Sequence, residues 1–373
     1  MRFLPVLFSL VPVFPPLYLL AFAALRGFFA LPRWARQALY FFLFTQGAAA
    51  LFTERPLLSF SLALLRGLFI AALVTLGYRL KEERWLGYLL YGYMAVGLLA
   101  LVWSAHFLGP RLLSARLIHP YYTTVSLGLV GALLVILAVG APGLPRWSRV
   151  LGGAVGLAVL GLSGSRGPLF ALLVGASMAA LLGGRAYLKA LAAGGGVLGL
   201  ALLAFEGGKK IHALTRLLNP AHLSGRDKVW EGAIAAFHAH PLGGSGPYQL
   251  GPYLEHLYRT GCHLWVGAEK LGLRCPGWLE PFRGAWLIAH NLVLHALAET
   301  GLIGGAGWLF LYGWAAVVAW RARAPLLVAI VFGFLAMGLV DNPTLVPSLS
   351  LAEVFWVAVG MALSRSAQKA PRG

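Results

Sequence analysis

Six stretches of this chain, residues 57–78, 86–105, 121–141, 167–183, 324–340 and 349–363, run almost without charge. A bilayer core about 30 Å thick needs about 20 apolar residues for each crossing helix, and these runs are of that order. Strands of a membrane barrel would be shorter and half polar, so helices are expected. Only 11% of the residues are charged, against about 25% in a soluble protein. The expected fold is therefore an all-α polytopic membrane protein.

The net charge of +18 would suggest a nucleic-acid partner in a soluble chain. Here the Arg and Lys residues cluster in short loops between apolar runs, as cytoplasmic loops do. No basic stripe with interleaved aromatics stands on a polar domain, so no nucleic acid is expected. Membrane lipids are the expected surroundings.

The same charges orient the chain. Arg365, Lys369 and Arg372 place the tail inside, and the loop Asp341–Thr344, which has no positive charge, falls outside. Arg321 and Arg323 then lie inside, and a large segment, 206–284, lies outside. The alternation continues toward the N-terminus. Arg185 and Lys189 fall inside, the Ser163–Gly167 turn outside and Arg146 and Arg149 inside. The 109–120 loop is outside, Arg79, Lys81 and Arg84 are inside, Glu54 and Arg55 outside, and Arg26, Arg33 and Arg36 inside. The count is 11 or 12 spans, with boundaries at 1–205 for an N-terminal bundle, 206–284 for the outer loop and 285–373 for the C-terminal helices and tail. The proline-rich N-terminus (Pro5, Pro12, Pro15, Pro16) reads as one broken span or two short ones; a cleaved signal ending near Ala21-Phe22-Ala23 is the alternative. All ten histidines land on the outer side, which is where proton transfer near neutral pH would be sought.

In the outer segment, Ser224-Gly-Arg-Asp227 has the form of a capping box. It opens a helix with an apolar face of Val229/Trp230, Ala233/Ile234 and Phe237 that ends at Pro241. Arg226 falls in the first turn, where a cation opposes the helix dipole. A bound anion would reverse that penalty; a guanidinium reaching headgroups or solvent is the other reading. Arg166, in a Ser-Gly-Ser-Arg-Gly-Pro turn at a span end, is either a second anion ligand or an interfacial anchor.

His290 precedes the helix that re-enters the membrane. His295, five residues on, sits about 140° around that helix, so the two do not share a face for a metal. Glu299-Thr300-Gly301 is expected to close the helix, with Gly301 as its C-cap. Cys262 and Cys275, the only cysteines, are disulfide candidates in an oxidising compartment; a zinc site with His256 or His263 matches no common spacing. Arg66 and Glu353 stand inside spans, where charges are paired or functional. They pair with each other or mark a proton or substrate path.

The chain has two aspartates, Asp227 and Asp341, and ten scattered glutamates. No carboxylate cluster for a divalent metal, no evident glycosidase pair and no nucleophile elbow or phosphate loop is present. An enzyme built on this chain would use arginines as electrophiles and a histidine as base.

Three stretches in order resemble the O-antigen ligase/polymerase family: Leu162-Ser-Gly-Ser-Arg-Gly167; Ser224-Gly-Arg-Asp-Lys-Val-Trp230 leading to His240-Pro-Leu-Gly-Gly-Ser-Gly246; and His290-Asn-Leu-Val-Leu-His-Ala-Leu-Ala-Glu-Thr-Gly-Leu-Ile-Gly304. The match covers about residues 150–340, and the two loop cysteines depart from the family pattern. The resemblance implies a GT-C-like bundle in the bacterial inner membrane with its active site facing outward. It implies an inverting transfer, without metal or cofactor, of a glycan from undecaprenyl diphosphate to an acceptor hydroxyl. The acceptor would be a lipid A–core molecule for a ligase or a second lipid-linked repeat unit for a polymerase. By the match, Arg166 and Arg226 hold the donor diphosphate, and His290 is the base or orients the acceptor. Asn291, Glu299, Arg66 and Glu353 are supporting candidates. Transfer to a protein hydroxyl and transport of a polar lipid or solute are the competing functions.

Overall fold

The computed structural model describes residues 3–192, 195, 226–254, 287–348 and 351–369. The Ser224 cap, Cys262, Cys275, His256 and His263 lie outside the described residues.

Among the described residues the fold is all-α, with no strand. The chain opens with α1 (Leu4–Leu10), a 3-10 helix (Pro15–Ala30), α2 (Arg33–Ala50), α3 (Pro56–Leu80) and α4 (Arg84–Leu108). Then come α5 (Thr124–Gly140), α6 (Arg146–Ser163), α7 (Arg166–Leu181), α8 (Arg226–Ala239) and α9 (Gly251–Leu254). The chain closes with α10 (Leu292–Ala322), α11 (Pro325–Met337) and α12 (Leu351–Lys369). Three helices among the described residues, Pro56–Leu80, Arg84–Arg111 and Leu292–Ala322, are long and apolar enough to cross a membrane. Shorter apolar helices cover Pro15–Ala30, Thr124–Gly140, Arg166–Leu181 and Pro325–Met337. At about 2.0 Å per residue the 3-10 form extends Pro15–Ala30 to about 32 Å; an α-helix of that length would reach about 24 Å.

Proline at the first or second position starts α1, the 3-10 helix, α3 and α11. Its missing N–H is one the helix end cannot use in any case. Every residue of α5 from Leu127 to Ala138 is buried, as expected for a helix apolar all round. The helix lies between α6, α7 and α4. α12 is likewise buried from Leu351 to Ser364 and packs on α3. These two cross on glycine: a methyl group on Gly77 would lie 2.1 Å from the Val357 carbonyl oxygen, and one on Gly360 would lie 2.1 Å from that of Val74. Small residues let helix backbones approach this closely. Large apolar side chains stay exposed on outer faces, among them Leu57, Leu65, Val102, Val150 and Leu309.

Two expectations change. Gly301 (φ 58°, ψ −163°) breaks α10 but does not end it, and the helix resumes to Ala322. The turn after α8 supplies partners for the break. Ser245 and Gly246 N–H donate to the Ala298 and Glu299 carbonyls, while Leu302 and Ile303 N–H donate to those of Pro241 and Leu242. A helix end normally leaves these groups unsatisfied; here one inserted turn satisfies both sides. The buried face of α8 is Val229, Gly232, Ala233 and Ala236, and Ile234 is exposed. Small residues fill most of that face, and Gly232 packs on α9, where a methyl group would lie 2.8 Å from the Tyr253 carbonyl oxygen.

Candidate functional site

His290 stands just ahead of α10 with a left-handed backbone (φ 49°). Left-handed geometry in a non-glycine residue persists only where neighbours enforce it. The enforcement comes from both sides. Asn291 caps α10, its Oδ1 accepting the Leu294 N–H at 2.9 Å, while its Nδ2 donates to the Leu339 carbonyl at 2.9 Å. Leu292 N–H donates to the Gly338 carbonyl at 2.7 Å. The start of α10 is thus stitched to the end of α11, in part by Asn291.

That stitching places Asp341 beside His290. The imidazole Nδ1 lies 3.0 Å from Asp341 Oδ1, and the same oxygen accepts the Asn342 N–H at 2.8 Å. Arg226, first residue of α8, brings Nη2 to 3.8 Å from Asp341 Oδ2. Burial alone would push the Asp341 carboxyl up; the His290 hydrogen bond and charge, the Asn342 N–H and the Arg226 guanidinium together hold it below its usual range. Asp341 is buried, while the His290 and Arg226 side chains keep 28% and 24% of their exposure. With Nδ1 turned to the carboxylate, Nε2 is the ring nitrogen that Asp341 does not engage.

Arg166 begins α7 after Gly164, which is left-handed (φ 59°), and Ser165. α7 packs along α11. A methyl group on Gly167 would lie 3.3 Å from Val340 Cγ2, so the start of α7 abuts the residue before Asp341. Residues from four separate places in the sequence, Arg166, Arg226, His290 and Asp341, therefore gather at one end of the bundle.

Arg66 and Glu353 do not pair with each other. Arg66 Nη1 meets Glu299 Oε2 at 2.6 Å, both side chains being almost fully buried. The guanidinium lies over the rings of Tyr248 and Trp308, at 5.2 and 5.1 Å. Glu299 Oε1 also accepts the Tyr248 N–H at 2.7 Å, and His295 Nε2 lies 3.5 Å from it. Glu299 fits this role because it is one helical turn from His295 and stands two residues before the α10 break at Gly301. Glu353 instead secures the start of α12. Its carboxylate accepts the Ser348 N–H and hydroxyl at 2.7 and 2.8 Å, and the Ser348 hydroxyl accepts from the Leu351 and Ala352 N–H groups.

Asp341 is the functional candidate that sequence reasoning missed. It served only to place a loop, although a rare aspartate directly after an apolar run is itself a signal. Among the described residues no group of three or more His, Cys, Asp or Glu side chains converges to hold a metal ion. No protein-family model matches the chain, and no curated protein matches it.

Proposed function

We propose that this chain is a glycosyltransferase of the bacterial inner membrane, crossing it 11 or 12 times in a GT-C-like bundle. It would move a glycan from undecaprenyl diphosphate to an acceptor hydroxyl at the outer face. The observation that carries the reading is the His290–Asp341 contact, with Arg226 beside it and the Arg166 turn abutting it. The exposed apolar helix faces and the alternation of loop charge support the membrane setting.

The chemistry follows from the groups present. The acceptor oxygen attacks the anomeric carbon from the face opposite the diphosphate. The new C–O bond forms as the carbon–phosphate oxygen bond breaks, and the electron pair leaves with the diphosphate. The acceptor proton passes to His290 Nε2, and Asp341 stabilises the resulting imidazolium through Nδ1–H. A base so placed contributes roughly 10²–10⁴-fold. The guanidinium groups of Arg166 and Arg226 stabilise the charge that grows on the leaving group. Arg66, enclosed and paired with Glu299, adds no support for a transport path.

The test is transfer by purified protein in detergent or vesicles. The donor is an undecaprenyl-diphosphate-linked glycan, offered with a lipid A–core acceptor, a second lipid-linked repeat unit or a hydroxyl-bearing protein. A single transfer to the core marks a ligase, a ladder a polymerase, and a modified protein an O-linked transferase. Release of undecaprenyl diphosphate at the wild-type rate by folded His290→Ala and Arg226→Ala variants would sink the reading. So would movement of the lipid across a vesicle bilayer with no transfer.

A further inference from the structure

Arg116 lies in the outer segment between α4 and α5, and that segment is tied down on several sides. Ser104 Oγ of α4 donates to the Ile118 carbonyl and accepts its N–H, at 3.1 and 2.9 Å. The Tyr122 and Tyr121 hydroxyls donate to the Pro12 and Val13 carbonyls, at 2.8 and 3.1 Å. His119, buried, accepts the Tyr121 and Tyr122 N–H groups on Nδ1, at 3.3 and 3.2 Å. From this brace Arg116 reaches the end of α6. Its Nε donates to the Ser163 carbonyl at 2.9 Å, and its Nη2 donates to Ser165 Oγ at 2.8 Å.

Those two acceptors flank Gly164, on either side of the turn between α6 and α7. The Ser163 carbonyl is at the α6 terminus, where carbonyls lack helical partners. Ser165 is the residue from which α7 starts, and its hydroxyl also donates to the Thr124 carbonyl at 3.3 Å. One planar guanidinium therefore bridges both sides of the turn and fixes where Arg166 begins its helix. We propose that Arg116 is a positioning residue for Arg166, setting the direction from which that guanidinium meets a diphosphate. The proposal rests on the reading of Arg166 as a donor ligand.

A lysine keeps the charge of Arg116 but lacks the fixed fork of donors. Arg116→Lys and Arg116→Ala should therefore behave alike. Each should raise the KM for the undecaprenyl-diphosphate-linked donor about tenfold or more, since displacement of a binding group by about 1 Å has effects of up to 10²-fold. The acceptor KM should not move. Simple loss of folded protein would lower the maximal rate and leave both KM values alone, and that result overturns the proposal. A wild-type donor KM in Arg116→Lys also overturns it, because charge alone would then suffice. Amide hydrogen exchange across residues 163–167, read without any substrate, should speed up in Arg116→Lys; unchanged exchange refutes the positioning role by itself. If wild-type protein neither binds nor uses a diphosphate-linked donor, the parent reading fails and the proposal with it, whatever the exchange shows.

Discussion

His290 and Asp341 are 51 residues apart in the chain, yet Nδ1 and Oδ1 meet at 3.0 Å because the start of α10 is hydrogen-bonded to the end of α11. The contact fixes the ring orientation and gives the imidazole a partner for its positive form, as the proposed role of a base requires. Asp341→Asn removes that charge while keeping the shape. The transfer rate should fall about 10²-fold or more, with the donor KM less affected than the maximal rate. Steady-state kinetics at several pH values check this, and a wild-type maximal rate would exclude the dyad.

His119 gives a pH-dependent contribution to stability. Burial lowers its imidazole pKa to about 4. Its Nδ1 accepts two backbone N–H groups, which a proton there would expel. The folded pKa is depressed, so as pH falls the unfolded chain takes up the proton first. The contribution is present above about 6.5 and is lost down to about 4, with a size of at most about 3 kcal/mol. His119→Asn offers an uncharged acceptor in the same place. Wild-type melting temperature should drop between pH 6.5 and 4, and the variant should drop less; parallel curves would refute the assignment.

The Arg66–Glu299 pair should behave as an enclosed ion pair. Removing one partner strands a charge and costs about 3–5 kcal/mol. Arg66→Met should therefore lower the melting temperature sharply. Arg66→Met combined with Glu299→Gln should recover most of the loss, because Gln still accepts the Tyr248 N–H. Thermal melts of the single and double variants decide it; equal losses would mean that packing of the guanidinium, not its charge, is what matters.

Gly301 has φ 58° and ψ −163°, a region essentially reserved for glycine. A methyl group there would lie 2.2 Å from the Leu242 carbonyl. Gly301→Ala should destabilise by about 3 kcal/mol or more, strain and clash adding. Gly313 of the same helix has open space around its Cα, and Gly313→Ala should be neutral or stabilising by up to about 1 kcal/mol. Similar melting temperatures for the two variants would contradict the account.

The nearly uncharged runs marked α3, α4, α5, α7 and α11 to within three residues at each end, and the start of α12 to within two, because a helix apolar on every face announces itself by length. Arg66 and Glu353 were legible as buried charges, but their partners were not. Which carboxylate meets Arg66 depends on how α3 packs against α10, and spacing along the chain carries no trace of that. Asp341 was hidden for the same reason: its neighbour in space is 51 residues away. Gly301 shows a different limit. A glycine after a helical run normally stops it, and only the carbonyls of Pro241 and Leu242, arriving from another segment, let α10 continue.

The split in α10 carries a consequence for spacing. Glu299 is held at the break by Arg66 and Tyr248, and His290 is held at the other end by Asp341. The helical rungs between them act as a ruler with both ends clamped. One residue added or removed between Leu292 and Ala298 would turn one clamp about 100° and shift it about 1.5 Å relative to the other. The length of that stretch is therefore fixed by contacts at both of its ends.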